Sequence, residues 1–364
     1  MASIPRRDLI HLGMDVHKDS ISIATLRPDD SMDVEKIFHD EASVRRFLHR
    51  FPDRRSLSTC YEAGPTGYEL HRLIEGMGIP CDVVAPSLIP KAPGDRVKTD
   101  RRDARKLARL HRAGELSAIR VPTPIEESVR DLCRARADMV ADLDRARRRL
   151  GALLLRHGQV WRGGTRWTLK HHAWISSLSF DRPALQATLS HYRAVVEVRT
   201  AEVEAIERDL LAYSDLEPFA DAVRRLCAYR GVARVGALTL ASEVCDWARF
   251  PRASAFMGFA GLGVTEYSTG GKTRRGHITK TGSTHLRTQL VEAAWSYQHG
   301  PSVGPTLRRR QEACTPDTVA RSWAAQRRLC ARFRTLAARK NVKSVVAAAV
   351  ARELGGFLWE EMTA

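Results

Sequence analysis

The alternation of apolar and polar residues changes period several times over the first 115 residues. Period-two segments bounded by polar turns predict strands, and segments with apolar residues three and four positions apart predict helices. Strands are predicted at 9–16, 20–27, 32–39, 57–61 and 79–85, and helices at 41–50, 66–76 and 100–113. A capping box of Thr66 and Glu69 is expected to open the second helix. The order β-β-β-α-β-α-β-α is that of an α/β domain.

Beyond Pro122 and Pro124 the pattern becomes helical and long. Apolar residues recur at three and four positions over 129–153 and again over 189–210, and each stripe is interrupted once by arginine. Two long helices packed as an antiparallel hairpin satisfy this pattern. Such stripes usually serve core packing or self-association. From about residue 216 the chain is again helical, with a glycine-rich centre.

A chain of 364 residues is too long for one ordinary core. We expect three domains, at 1–120, 121–215 and 216–364. No apolar run approaches the roughly 18 residues that a transmembrane helix needs, and no secretory signal is evident, so a cytoplasmic protein without membrane partners is expected. The seven cysteines are far apart and include no CxxC pair, which favours buried free thiols over disulfides or a cysteine zinc site.

The charge points to a polyanionic partner. There are 59 Lys and Arg against 42 Asp and Glu, a net charge of +17. The excess is local: residues 91–112 carry +6, residues 267–290 carry +5 and residues 307–343 carry +9. Local basic surfaces favour nucleic-acid binding over general solubilising charge.

Four acidic residues stand out by position. Asp15 ends the first predicted strand and Glu62 ends the fourth, and these strands are expected to be neighbours. Asp100 and Asp103 lie on one helix face with Leu107 and Leu110, which are expected to face the core. Carboxylates turned inward need a positive partner, and Mg²⁺ prefers such oxygen ligands, with Mn²⁺ as the alternative ion. The alternative is structural, with Asp100 as helix cap, Asp103 beside the helix dipole and Asp15 closing a turn.

The second basic segment surrounds a hydroxyl. Ser268 and Thr269 precede two glycines, and no acid occurs between 267 and 290. Such a loop can bind phosphate without covalent chemistry, or place a serine nucleophile against it. His17, His277 and His285 are interpreted as solvent-exposed or phosphate-contacting. The basic residues expected to contact nucleic acid are Lys98, Arg101, Arg102, Arg105, Lys272, Arg274, Arg275, Lys280 and Arg287.

Four segments together resemble the DEDD transposases of bacterial insertion sequences related to the Piv DNA invertase, which are guided by a bridge RNA. They are GMDVHKDSISIA, CYEAGPTGYEL, VKTDRRDARKLARL and GLGVTEYSTGGKTRRGHITKTGSTHLRTQLVEAAW. The C-terminal run AQRRLCARFRTLAARK is also similar to that family's ending, so the resemblance covers nearly the whole chain.

The resemblance implies a RuvC-like (RNase H-type) N-terminal domain, a helical coiled-coil dimerisation segment and a mainly helical C-terminal transposase domain. Asp15, Glu62, Asp100 and Asp103 match the DEDD metal ligands, and Ser268 matches the nucleophilic serine. Many members have two adjacent serines where this chain has Ser268-Thr269, and the nucleophile is assigned to Ser268. Donor and target DNA, a guide RNA and a homo-oligomer, either a dimer or a synaptic tetramer, are the implied partners.

The resulting hypothesis is a site-specific DNA recombinase that excises and inserts a mobile element. An enzyme alternative is a hydrolytic RuvC-like nuclease or Holliday-junction resolvase that uses the same acids with water. An alternative of another class is a non-catalytic DNA- or RNA-binding protein.

Overall fold

The computed structural model describes residues 5–90, 99–269, 274–340 and 342–364. It divides into two compact units, 1–121 and 122–364. The first unit is a five-stranded sheet with three helices. Its strands are β1 (Ile10–Val16), β2 (Ser20–Leu26), β3 (Met32–Phe38), β4 (Leu57–Glu62) and β5 (Cys81–Val84), and its helices are α1 (Glu41–Leu48), α2 (Glu69–Gly76) and α3 (Asp100–Ala113).

The sheet has the order β3-β2-β1-β4-β5. Strand β2 runs antiparallel to both β1 and β3, whereas β4 is parallel to β1 and β5 is parallel to β4. The predicted strands and helices are confirmed with shifts of a few residues at their ends. The capping box predicted for α2 is wrong: Tyr68 is the N-cap and makes no side-chain cap, and Gly67 instead closes a turn onto the Gly64 carbonyl.

Helices cover the two faces of the sheet differently. On one face, α1 and α2 enclose a core of large side chains such as Leu12, Ile23 and Phe47. On the other face, α3 packs on β1 and β2 through small residues that include Ala24, Ala104 and Ala108. A Cβ atom added at Gly13 would lie 2.9 Å from the Cα of Ala108, and nearer still to the backbone N of Ala108 and the O of Ala104. Glycine at this position therefore permits the close approach of α3.

The buried face of α3 differs from the predicted stripe. Ala104, Leu107, Ala108 and His111 are its buried residues, whereas Leu110 is only half-buried. Where α3 passes over Gly13 its contact residues are Ala104 and Ala108, because the sheet and the helix are too close together there for larger side chains. Asp103 is still half-buried beside this face.

Two buried histidines meet where α3 ends. Nε2 of His11 lies 2.8 Å from the Arg6 carbonyl, and its Nδ1 lies 3.3 Å from Nδ1 of His111. Nε2 of His111 lies 3.2 Å from Oδ2 of Asp82. Because a carbonyl only accepts, His11 donates from Nε2 to Arg6, and a neutral His11 then accepts at Nδ1. Burial lowers the pKa of His11, and the bond from His111 lowers the pKa of Asp82.

The second unit is mainly helical, with one small hairpin of strands. Its elements are α4 (Pro124–Arg156), α5 (Leu169–Ser177), α6 (Pro183–Tyr213), α7 (Ala220–Cys227), α8 (Arg234–Val244), α9 (Ala253–Phe259), β6 (Val264–Glu266), β7 (Arg275–Ile278), α10 (Thr284–Ala294), α11 (Pro305–Gln311), α12 (Pro316–Ala337) and α13 (Lys343–Thr363). None of the helices in the described ranges is both long enough and apolar enough to cross a membrane.

Helices α4 and α6 pack against each other as an antiparallel pair. A capping box of Thr123 and Glu126, which the sequence analysis did not identify, opens α4. The arginine that interrupts the apolar stripe of α4 has a structural partner, because Nε of Arg136 donates to Oε1 of Glu207 on α6 at 2.8 Å. The seven cysteines form no disulfide, and five of them are buried.

The core of the second unit encloses a buried acid. Glu361 on α13 is 0% exposed and accepts hydrogen bonds from Arg321 at 2.6 Å, Thr318 at 2.7 Å and Arg225 at 3.0 Å. Desolvation raises the pKa of Glu361, but these bonds outweigh it, so that the pKa is lowered overall. The carboxylate thus joins α7, α12 and α13.

Candidate active site and nucleic-acid interface

Two carboxylates lie at the carboxyl edge of the sheet. In the parallel pairing of β1 with β4, Met14 lies opposite Tyr61. Asp15 and Glu62 follow these residues directly, so they leave neighbouring strands at the same edge. Glu62 is half-buried, and the Asp15 side chain is 19% exposed. The sequence prediction that the two strands are neighbours is confirmed by the sheet order.

Two further carboxylates come from the first turn of α3. Thr99 is the N-cap, because its side chain accepts a hydrogen bond from the backbone N–H of Arg102. The alternative in which Asp100 caps this helix is therefore wrong. Asp100 instead has a 44% exposed side chain, and Oδ2 of Asp103 is buried. The close packing at Gly13 sets the position of both acids over β1.

His17 joins the strand acid to the helix acid. Its Nε2 lies 3.2 Å from Oδ2 of Asp15 and 3.5 Å from Oδ1 of Asp100. The sequence interpretation of His17 as exposed holds, since its side chain is 53% exposed, but its place between two acids was missed. Alternation along an extended strand was the available signal, because residues two apart point to the same side.

The pKa values of Asp15 and Asp100 are shifted in opposite directions. Burial raises the pKa of Asp15; His17 opposes the rise, whereas Asp100 and Asp103 add to it. Desolvation also acts to raise the pKa of Asp100, but His17 and Lys36 outweigh it and lower the pKa. Nζ of Lys36 lies 3.6 Å from Oδ2 of Asp100. Converging carboxylates repel one another, and a nearby cation relieves that repulsion.

The arrangement can hold a metal ion. One ligand atom from each of Asp15, His17 and Asp100 lies within 4.8 Å of the others. Among the described residues, Glu62 and Asp103 are not part of this close group. Two carboxylates suit Mg²⁺ or Mn²⁺, and the imidazole nitrogen favours Mn²⁺.

Ser268 lies just after β6 in the second unit. It is exposed, and its Oγ donates a hydrogen bond to Oε1 of Glu266 at 2.7 Å. The pairing of β6 with β7 and the bond from Tyr267 N to Arg274 O hold the two sides of this hairpin together. The hydroxyl is thus accessible to a ligand and already has a carboxylate as its acceptor. Glu266 was not among the residues predicted from the sequence.

A buried acid supports the segment that follows the hairpin. Glu243 on α8 accepts from Arg134 on α4 at 2.8 Å and from the hydroxyl of Ser283, the N-cap of α10, at 2.9 Å. Desolvation raises the pKa of Glu243, but the bonds from Arg134 and Ser283 lower it overall. The N-terminus of α10 is therefore fixed to the helical core.

The predicted nucleic-acid contacts have different surroundings. Arg101, Arg102, Arg105, Arg274 and Lys280 are exposed, as such contacts require. Arg287 also has a structural role, since its guanidinium donates to the carbonyls of Ala260 and Lys280 at 3.4 and 3.3 Å. Lys98 and Lys272 lie outside the described residues, as does the side chain of Arg275. These contacts remain predictions.

Comparison with known proteins identifies both units. Residues 12–158 match a transposase family model for DEDD enzymes of IS110 elements, and residues 223–304 match the model described as the transposase IS116/IS110/IS902 family. The transposase for insertion sequence element IS1533 of Leptospira borgpetersenii is 32% identical over 342 residues, which cover 90% of this chain and 96% of the relative. The protein y4qE of Sinorhizobium fredii, named as a transposase candidate, is 41% identical over 352 residues, covering 96% of this chain and 87% of the relative. A third relative, the transposase for insertion sequence element IS1111A of Coxiella burnetii, is 23% identical over 290 residues, covering 79% and 78% of the two chains.

Proposed function

The chain belongs to the IS116/IS110/IS902 transposase family, whose members cleave and rejoin DNA, and from this membership we propose how its residues perform the reaction. The enzyme excises and inserts a mobile element with Ser268 as nucleophile and a divalent cation at the N-terminal acids. The observation that carries the metal proposal is the convergence of Asp15 and Asp100 on His17 at the carboxyl edge of the sheet.

The N-terminal unit is proposed to have a RuvC-like fold. Support comes from a sheet of order 3-2-1-4-5 in which the second strand runs opposite to the other four, and from carboxylates at the ends of β1 and β4. Asp15, Glu62, Asp100 and Asp103 would hold Mg²⁺ or Mn²⁺ there. When bound, the ion supplies positive charge that stabilises a phosphodiester undergoing substitution.

Ser268 carries the covalent step of the proposal. Its Oγ attacks phosphorus, a serine–phosphate ester forms, and the bond to one deoxyribose oxygen breaks. The proton passes to Glu266, whose carboxylate already accepts the hydroxyl hydrogen bond. The departing oxygen takes up a proton from water and ends as a hydroxyl, and Glu266 returns its proton to water. A hydroxyl of another strand then attacks the ester and restores Ser268. No external energy source is needed, because the number of phosphate ester bonds is conserved.

The partners follow from the same family. We propose that donor and target DNA and a guide RNA bind the basic surfaces, and that Ser268 and the acids of one active site come from different protomers of a dimer or synaptic tetramer. The pair of helices α4 and α6 is the proposed dimerisation segment; its stripes are buried between the two helices, so exposed apolar residues such as Val195 and Val198 on α6 would form the contact. Sequencing the RNA that copurifies with the protein tests guidance; if only random fragments copurify, the guide proposal is wrong.

Trapping the covalent intermediate tests the nucleophile. Incubation with DNA that carries the element ends should yield a protein–DNA adduct resistant to denaturation. Ser268→Ala should abolish the adduct, and Thr269→Ala is the matched control that should retain it. Cleavage that persists in Ser268→Ala would mean that water attacks instead, as in a nuclease.

The metal site is tested separately. Asp15→Asn should remove cleavage while the protein stays folded and still binds DNA, and EDTA should have the same effect on the wild type. Recombination that survives both treatments would exclude the proposed ion.

A further inference from the structure

A cavity of about 380 Å³ lies at the tip of the helical hairpin. It is lined by the last turns of α4, the segment that follows, and α5. Three of the chain's seven tryptophans line it: Trp161, Trp167 and Trp174. Its volume falls in the range of small-molecule pockets, and neither the metal site nor the Ser268 hairpin uses it.

The walls of the cavity are aromatic surfaces in contact with one another. The ring centroids of Trp161 and Trp174 are 5.4 Å apart, and His171 stacks on Trp174 at 5.6 Å with an interplanar angle of 23°. The guanidinium of Arg147 lies over the ring of Trp167, 5.0 Å from its centroid. Planar, polarisable walls of this kind suit a flat aromatic ligand.

The shape of the cavity depends on local backbone features. Trp161 donates from its indole N–H to the carbonyl of Gly164 at 3.1 Å, and a Cβ added at Gly163 would overlap the Trp161 ring. Nδ1 of His171 accepts from the backbone N–H of Trp167 at 3.0 Å. Burial lowers the pKa of His171, so a neutral ring faces the cavity at neutral pH. The pocket is therefore built by specific interactions.

The surroundings of the cavity are strongly basic. Residues 144–174 contain eight Lys and Arg against one acid, a net charge of +7, in addition to the three basic segments described above. Arg147, Arg148 and Arg166 line the cavity itself. Nε of Arg147 is buried and has no hydrogen-bond partner among the described residues. A ligand that brings negative charge to this tip would be attracted to it.

We propose that this cavity binds one unpaired nucleobase of a DNA or RNA strand, stacked on the tryptophan rings, while the arginines contact the adjoining phosphates. Stacking on aromatic rings beside basic side chains is how proteins bind unpaired bases. The same tip of a second copy would bring another +7, so charge disfavours pairing of two tips. The inference goes beyond the proposed strand exchange, which has no step at this site.

Fluorescence of 2-aminopurine tests the proposal on the full chain. The fluorescence of a single bulged 2-aminopurine in a duplex should be quenched when the protein binds, because the base stacks on tryptophan. The fluorescence of 2-aminopurine in a fully paired duplex should change little. The assay is run with DNA and with RNA bulges, and the strand with the stronger quenching identifies the natural source of the base.

Variants make the test specific. Trp161→Ala should abolish the quenching and weaken binding of the bulged duplex by about 10- to 100-fold, and Trp161→Phe should restore part of both. Arg147→Ala should weaken binding, whereas Arg145→Ala, which removes an exposed arginine of the same helix outside the cavity, should not. Trp323→Ala on α12, whose side chain is 37% exposed, is the tryptophan control.

Two outcomes would overturn the inference. One is undiminished quenching and affinity in Trp161→Ala when circular dichroism shows a native fold. The other is a change in sedimentation mass of Trp161→Ala with no effect on the bulged base, which would make the cavity a subunit contact. Adduct formation by Ser268 is measured separately, so the nucleobase site and the proposed strand exchange can fail independently.

Discussion

A single methyl group at Gly13 should separate α3 from the sheet and disturb the acids at its N-terminus. A Cβ atom there would lie 2.9 Å from the Cα of Ala108, and its nearest neighbours are backbone atoms of α3 that cannot rotate away. Ordinary contact between carbon atoms requires about 3.5–4 Å. The helix must therefore move outward by roughly 1 Å.

The size of the effect follows from overpacking. Extra methyl groups in a well-packed core cost typically about 1–3 kcal/mol, and the upper part of that range is expected because backbone is opposed to backbone. Cleavage activity should fall by more than the loss of folded protein explains, since Asp100 and Asp103 move with α3 while Asp15 remains on β1. Urea unfolding gives the stability change, and a strand-cleavage assay at a temperature where both proteins are folded gives the activity.

Gly76→Ala is the matched control for this experiment. Gly76 ends α2 in the same unit, and a Cβ there meets nothing within 4 Å, so stability and cleavage should stay close to wild type. A Gly13→Ala protein with an unchanged free energy of unfolding and full cleavage activity would refute the argument that close packing of α3 positions the acids.

Three other predictions concern stability and binding. Glu361→Ala should lower the free energy of unfolding by about 3 kcal/mol, the lower end of the range for breaking a buried ion pair, because the arginines that lose the carboxylate are partly exposed. Exposed Glu360→Ala should change it by less than about 0.5 kcal/mol, and equal effects of the two substitutions would contradict this. Burial lowers the pKa of His11, so as the pH falls the unfolded chain takes up this proton before the folded chain does, and stability should fall below about pH 6.5. Calorimetry of His11→Asn should show a smaller loss of stability over the same pH range. Identical pH profiles of wild type and variant would refute this prediction. Replacing exposed Arg308 and Arg309 with Gln should reduce the magnitude of the slope of log K for DNA binding against log salt concentration by about 1.8 if both contact duplex phosphates. An unchanged slope in a filter-binding titration would show that they do not.

Much of the N-terminal site followed from the sequence because its parts are local. Strand periodicity placed Asp15 and Glu62 at strand ends, and the sheet order then brought these strands together. The position of His17 between two acids depends on the turn after β1 and on the packing of α3, which no local pattern encodes. The face of α3 was misjudged for a related reason: large apolar residues were given most weight, whereas close packing on Gly13 selects alanine.

Capping patterns show the limits of short motifs. Thr66 and Glu69 have the spacing of a capping box, but a turn at Gly67 with positive φ intervenes. The same spacing at Thr123 and Glu126 forms the complete box, where the helix that follows is long and buried against neighbours. Tertiary packing decides which copy of the pattern is used.

The tryptophan-lined cavity was missed because its walls come from separate parts of one loop-and-helix segment.

The long helix α4 passes through two separate hydrophobic clusters. Val129 and Cys133 belong to the core that also contains α8 and α13, whereas Leu143 and Leu150 belong to a cluster formed with α5 and α6. About 15 Å of helix separates Cys133 from Leu143 at 1.5 Å per residue, and the ion pair of Arg136 with Glu207 lies in this interval. The distal end can therefore open as its own cooperative unit, with hydrogen exchange faster than in the base. The distal end is also separable from the base. Insertion or deletion of whole helical turns between the two clusters would alter the length of the hairpin and leave both cores intact.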